Sequence, residues 1–377
     1  MHQKSDLKVA LVHDYLAEYG GAERVLEALH DLYPKAPVYT AFVDEVKLGL
    51  VWSKFEDWDI RPTWLTKIPF YKLLFSPLRI FAPQYFRALD LSEYDLVISS
   101  TNAYFAKAVR VPNGVHVCYC HTPSRSLWGY ATMSDWKKNP FVRVIGTLIN
   151  HYLRVIDVQV AQKVDFFIAN SQETARRITK FYRRSAKVIY PPVIIPHQPP
   201  TSALTQKSPG AYFLYVNRLA LAKHPEIAVR ACLELGLPLM VVGQGKMRSQ
   251  LEKMTQNFPN HQVKFLGAVS DAELNRLYAG AQALLYPVED EDFGMVPVEA
   301  MARGVPVIAH CSGGPLETIM PGKTGILFGD LSAQGLVGAI NSFKPTDFDA
   351  QKISLFASQF SVQNFEKNMK KYLATLV

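Results

Sequence analysis

Short apolar runs alternate with longer amphipathic segments along this chain, and the alternation comes in two series. The first series has runs at Lys8–Val12, Leu96–Ser99, Val115–Tyr119 and Phe166–Ala169. The second has runs at Tyr212–Val216, Pro238–Val242, Val263–Leu266, Ala283–Tyr286 and Val305–Ala309. Runs of this length with helical segments between most of them predict buried strands of a mostly parallel α/β sheet. The series are separated by IYPPVIIPHQPP, Ile189 to Pro200, with five prolines among its last ten residues. Proline lacks an N–H and fixes φ, so this stretch neither continues a helix nor sits in a central strand. The pattern predicts a first domain at 1–190, a linker at 191–209 and a second domain at 210–359. A tail at 360–377 follows, with Phe365, Met369, Tyr372, Leu373 and Leu376 near helical spacing. Its apolar face must pack on something, and the first domain is the candidate. Two such α/β halves predict a cleft with ligands at the carboxyl ends of the strands.

Composition narrows the class. The chain has 377 residues, 49% hydrophobic and 20% charged, which excludes disorder and suits two globular domains. No apolar run reaches the ~18 residues of a spanning helix. The opening MHQKSDLKVALVHDY lacks a signal-peptide apolar region, and four cysteines are too few for a disulfide scaffold. A cytoplasmic setting is expected. The net charge of +8 is uneven: residues 1–190 hold 25 Lys and Arg against 18 Asp and Glu, and the remainder 16 against 15. The first half is therefore expected to meet something anionic, unless it is simply a solvated basic face. Within it, 61–87 holds Arg61, Lys67, Lys72, Arg79 and Arg87, no acid, and the aromatics Trp64, Phe70, Tyr71, Phe75, Phe81, Tyr85 and Phe86. Such a mix suits an anionic membrane surface or a lipid-phosphate acceptor. Stacking on single-stranded nucleic acid, or a helical pair with an apolar core face, are the alternatives.

The densest chemistry lies between Tyr286 and His310. A strand end is followed by Glu289, Asp290, Glu291 and Asp292, then Phe293-Gly294, then a helix with Pro297 in its first turn and Gly304 just past its end. Glu291 falls in the loop and Glu299 is expected in the helix's first turn. Carboxylates accept hydrogen bonds from paired sugar hydroxyls, so Glu299 is the candidate for a ribose and Glu291 for a second sugar or the reacting centre. The N–H groups of Gly294, Met295 and Val296 are candidates for phosphate oxygens. A solvated acidic loop with a helix-dipole glutamate reads the same residues without chemistry. A divalent metal at Glu289–Asp292 lacks a second ligand cluster.

Other candidates stand at other strand ends. Asn217, Arg218 and Lys223 follow the first strand of the second series, where two cations suit a diphosphate, though surface cations would read alike. Gly20-Gly21 opens a helix after the first strand and lets amides approach an anion. Ser312-Gly313-Gly314-Pro315 and Val242-Gly243-Gln244-Gly245 are similar turns, the latter without the last Gly of a dinucleotide fingerprint. His121 leaves a strand in Cys120-His121-Thr122-Pro123 and could bond sugar hydroxyls; Cys118 and Cys120 beside it make a poor zinc pattern. Asp14 and Ser171 are further strand-end candidates.

The run E-D-F-G-M-V-P-V-E-A-M-A-R-G-V-P-V-I-A, from Glu291 on, resembles the donor-site signature of glycosyltransferase family 4. Arg218 and Lys223, the Gly-Gly-Ala-Glu-Arg segment at 20–24, and His121-Thr122-Pro123 with Arg125 and Trp128 fit the same resemblance, although Asn217 replaces a usual glycine. It implies a GT-B fold, α/β, with two Rossmann-like α/β/α domains facing across a cleft. The N-terminal domain would bind the acceptor and the C-terminal domain a nucleotide-sugar. It implies a retaining hexosyltransferase, with GDP-mannose the favoured donor and a glycan or polyprenyl-phosphate-linked acceptor, as in polysaccharide biosynthesis. Glu291, His121, Arg218 and Lys223 would serve the reaction. Glu299, Arg218, Lys223, Asn217, Gly294, Met295, Val296, Gly20 and Gly21 would hold the donor. No cofactor or metal is expected, no nucleic-acid partner, and a location in the cytoplasm at the inner membrane surface, with membrane contact through 61–87. The alternatives are an NAD-dependent oxidoreductase, which lacks its fingerprint here, and a non-catalytic nucleotide-sugar-binding protein.

Overall fold

A computed structural model describes residues 7–132, 139–196 and 212–377. Most of the linker expected at 191–209 lies outside the described residues. The chain forms two compact units. One takes in 7–130, 139–192 and 362–377, and the other is built on 212–361.

The first unit carries a parallel sheet of β1 (Val9–His13), β2 (Val38–Thr40), β3 (Ile60–Pro62), β4 (Leu96–Thr101), β5 (Val115–Cys120), β6 (Phe166–Ala169) and β7 (Ala186–Val188), in the order β3-β2-β1-β4-β5-β6-β7. The second carries β8 (Tyr212–Val216), β9 (Leu239–Val242), β10 (Val263–Gly267), β11 (Ala281–Tyr286), β12 (Val307–His310) and β13 (Gly325–Phe328), in the order β10-β9-β8-β11-β12-β13. Every pairing within both sheets is parallel. The order reverses beside the first strand of each sheet. Crossovers leave to opposite sides there, so a crevice opens at the strands' carboxyl ends between β1 and β4, and between β8 and β11.

The strands form where side chains are buried on both faces. Val9–His13 is buried throughout, as is Leu96–Thr101. Alternation along β5 sends Cys118 and Cys120 to a cluster with Val164, Phe167 and Tyr182, and Tyr119 to the opposite face. The two cysteines are core residues, in keeping with the poor zinc pattern.

The tail forms the helix Val362–Leu373. Phe365, Met369 and Leu373 are buried against Val25, Leu29 and Tyr119 of the first unit. The basic aromatic stretch is divided. Leu65, Ala82, Tyr85 and Phe86 are buried, and Phe75 stacks on Tyr104 at 4.0 Å. Arg79 donates to Ser126 Oγ and Asn150 Oδ1, both at 2.8 Å, so it braces the fold instead of meeting solvent. Of its large apolar side chains, Trp64, Phe70, Leu73, Leu74 and Phe81 are exposed, as are Lys67 and Lys72.

Candidate functional site

In the second unit, Asn217 and Arg218 leave β8, and Lys223 ends the short turn Leu221–Lys223. Beside them, the acidic loop leaves β11. The loop and the turn meet: Lys223 Nζ lies 2.5 Å from Glu291 Oε2, with both side chains mostly buried at 16% and 12% exposure. Tyr286 O–H donates to the same oxygen at 2.6 Å, and Tyr215 O–H donates to the Lys223 carbonyl at 2.9 Å. Burial first, and then the Glu291 charge, raise the Tyr286 phenol well above its usual range, so it remains a donor. Lys223 is therefore not an isolated phosphate clamp; it is paired with the very carboxylate assigned to the reacting centre. An ammonium has three donors, so a bond to Glu291 is compatible with a second anionic partner.

Two glycine turns fix these loops by backbone contact. Gly314 N–H donates to Glu291 O at 2.8 Å, and a Cβ on Gly313 would stand 2.2 Å from the same oxygen. Asp290 N–H donates to Ser312 Oγ at 3.0 Å. Likewise, a Cβ on Gly243 would meet Asn217 O at 1.9 Å, and one on Gly245 would meet Leu219 O at 2.2 Å. Leu219 N–H donates to Gln244 O at 2.9 Å. Both turns need glycine because another strand-end loop lies against them. They hold the site loops in place, a role different from the amide-to-ligand role expected of such turns.

Gly294 caps the helix Met295–Ala302 with φ 86°, a left-handed conformation suited to glycine. Glycine brings no side chain of its own to cap this helix, and the amides of a helix start are the groups that bind anions. Pro297 sits in the first turn as expected. Glu299 does not: it is the fifth residue, at the start of the second turn, because the helix begins as early as Met295. It remains half-buried there.

In the first unit, the crevice beside β1 is lined by His13, Asp14, Tyr15, Glu23, Asn102 and His121. His121 Nε2 lies 2.8 Å from Ser100 Oγ, Ser100 Oγ lies 3.1 Å from His13 Nδ1, and His13 Nε2 lies 3.4 Å from Glu23 Oε1. The sheet register pairs His13 with Ser100, which is why these groups meet. Burial first, then His13, lower the His121 pKa to about 4, so this imidazole is neutral at pH 7. Glu23 stays ionised: its bonds from His13 and Gly20 outweigh the opposing cost of burial and leave its pKa lowered. One consistent order of hydrogen bonds runs from His121 Nε2–H to Ser100 Oγ, from Ser100 O–H to His13 Nδ1, and from His13 Nε2–H to the Glu23 carboxylate, which leaves His121 Nδ1 an acceptor.

Several expected ligand groups in this unit are already occupied. Gly20 N–H donates to Glu23 Oε2 at 2.8 Å, and Gly21 opens the helix Gly21–Leu32. Asp14 accepts from Thr101 Oγ1 and from the amides of Asn102, Ala103, Tyr104 and Ala106, at 2.8 to 3.0 Å. It organises the loop after β4. Ser171 Oγ caps the helix Gln172–Tyr182 by accepting from Thr174 N–H. Sequence reasoning missed His13, Glu23, Ser100, Tyr215 and Tyr286. Their signal was only position: strand ends, and a glutamate at the third place of a glycine-opened helix.

Comparison with known proteins bears on both units. A family model for "Glycosyltransferase Family 4" matches residues 19–195, and one for "Glycosyl transferases group 1" matches 202–354. The alpha-1,3/1,6-mannosyltransferase alg2 of Schizosaccharomyces pombe is 24% identical, over 86% of this chain and 71% of its own. A GDP-mannose-dependent alpha-mannosyltransferase of Mycolicibacterium smegmatis is 39% identical over 30% of this chain and 29% of its own. The solved structure of Anabaena Alr3699/HepE in complex with UDP-glucose superposes with a TM-score of 0.70 at 21% identity, covering 98% of this chain and all of that one. With two parallel Rossmann-like sheets, the fold class is GT-B.

Proposed function

Since this chain belongs to the family-4 glycosyltransferases, its two halves matching their models, we propose that it is a retaining hexosyltransferase using a nucleoside diphosphate sugar, with GDP-mannose as donor. The observation that carries this reading is the Lys223–Glu291 pair beside a glycine-started helix at the switch point of the second sheet. A diphosphate there takes the amides of Gly294, Met295 and Val296, the Lys223 ammonium and the Arg218 guanidinium. Glu299 takes the ribose hydroxyls. Mannose as the sugar is favoured by the two mannosyltransferase relatives, one of them GDP-mannose-dependent.

In the reaction, the bond from the anomeric carbon to the diphosphate breaks through an oxocarbenium-like state. Charge grows on the leaving phosphate, and Lys223 and Arg218 stabilise it more as it grows. The two cations meet this charge, so the proposal routes no step through a metal. Glu291, held by Tyr286 and Lys223, orients the sugar and is not the attacking group. Neutral His121 accepts from a sugar hydroxyl. The acceptor is a hydroxyl of a glycan or polyprenyl-phosphate-linked glycan bound by the first unit, and the enzyme works in the cytoplasm at the inner membrane surface. No described helix is long and apolar enough to cross a membrane.

Melting midpoints measured with GDP-mannose, GDP-glucose, UDP-glucose and ADP-glucose test the donor, since a ligand binding only the folded state raises the midpoint with concentration. GDP-mannose should give the largest rise, and proton NMR of the product should show the donor's α configuration. No rise with any of the four would remove the reading.

A further inference from the structure

The long helix Pro140–Ala161 has two apolar faces. One, with Leu153, Ile156 and Val160, is buried in the first unit. The other is exposed. At 3.6 residues per turn, Phe141, Val144, Ile145, Leu148, Tyr152 and Val155 fall within an arc of about 100°. All six are exposed, Phe141 at 80% and Leu148 at 67%. Soluble helices put polar groups on that side. Beside it stands the helix Tyr71–Leu78, whose Phe70 and Leu73 tips are 79% and 83% exposed. The two segments are joined side by side: Arg79 donates to Asn150 on the long helix, and Phe75, Leu78 and Ile149 pack on one core cluster.

Charge identifies the occupant. The stripe is edged by His151, and exposed Lys67 and Lys72 lie on the neighbouring segment, Lys72 within 3.4 Å of Asp44. Neither segment offers a carboxylate to solvent. Residues 61–87 contain none, and the long helix's only acid, Asp157, is buried in an ion pair with Lys107. Apolar stems with cations at the border and no acid match the headgroup boundary of an anionic bilayer.

We propose that the Pro140–Ala161 helix lies in the surface of an anionic phospholipid membrane, with the Phe70–Leu74 tip inserted beside it. The inference gives the lipid-linked acceptor of the proposed function its platform, and it rests on that reading for its purpose alone, because vesicle binding is read without donor. The test is flotation of the full chain with vesicles of phosphatidylglycerol and phosphatidylcholine, and with phosphatidylcholine alone. Wild type should float with the anionic vesicles. Ile145→Glu/Leu148→Glu should lower the bound fraction roughly tenfold or more, since two buried side chains are lost. Lys67→Glu should lower it less, and only with anionic vesicles. Because these residues are exposed, all variants should keep the wild-type melting midpoint and its rise with GDP-mannose. Equal flotation of wild type and the double variant would overturn the proposal. So would a dimeric wild type that the double variant makes monomeric, which would assign the face to a second copy.

Discussion

The two units share one strand order but differ in what their switch points offer. In the first, the polar groups satisfy each other. Asp14 is saturated by a hydroxyl and four amides, Glu23 occupies the Gly20 amide, and His121, kept neutral chiefly by burial, is bonded to Ser100. In the second, a cation is paired with a carboxylate, Lys223 with Glu291, beside a helix that starts at a glycine. Topology places both crevices, and the loops decide their chemistry. A site with satisfied neutral donors suits hydroxyl groups. A site with a cation and a helix N-terminus suits phosphate. The proposed function therefore assigns the nucleotide to the second unit.

The strongest blow to this comparison is Lys223→Ala. Removing a cation aimed at the developing charge should lower turnover by roughly 10²–10³-fold, measured as initial rate at saturating donor. Unchanged turnover would remove Lys223 from the site.

Acid separates the units next. His116 and His121 have pKa values lowered to about 4 by burial, below the ordinary value of about 6.5. Between these values the unfolded chain binds protons that the folded chain refuses. Stability is thus intact above pH 6.5 and falls as pH drops toward 4, by about 2 kcal/mol for each group at pH 5. Denaturant titrations at pH 7 and pH 5 read this, and in a His116→Gln variant the loss should shrink by one group's share. An equal loss in both proteins would contradict it.

Glu299→Ala should weaken donor affinity by about 1–3 kcal/mol by leaving bound hydroxyls unpaired. Calorimetric titration with GDP-mannose measures it, and turnover at saturating donor should change less. The smallest effect is expected of Ser171→Ala, about 1 kcal/mol of stability from a lost cap, with turnover unaltered. A turnover loss beyond the stability loss would return Ser171 to the site.

Much of this was legible in the sequence. Every strand read from apolar runs is present, shortened where Pro238 and Pro306 have no N–H to give the ladder. β2, β3 and β7 escaped notice because three residues carry no period, and β3 ends in Pro62. β13 is only four residues long and begins with a glycine. The acidic loop and its helix were legible because their chemistry is contiguous. The Lys223–Glu291 contact joins residues far apart in sequence, and the His13–Ser100 contact depends on strand register, so no local pattern announces either. The paired glycines were recognised as turns. What they approach is another loop of the same unit, which only the folded chain reveals.

The most direct test is a crystal structure with GDP-mannose bound. The account predicts the diphosphate within hydrogen-bonding distance of Lys223 Nζ and the amides of Gly294 to Val296, with the ribose on Glu299. A nucleotide seated instead in the crevice of His13, Gly20 and His121 would contradict it.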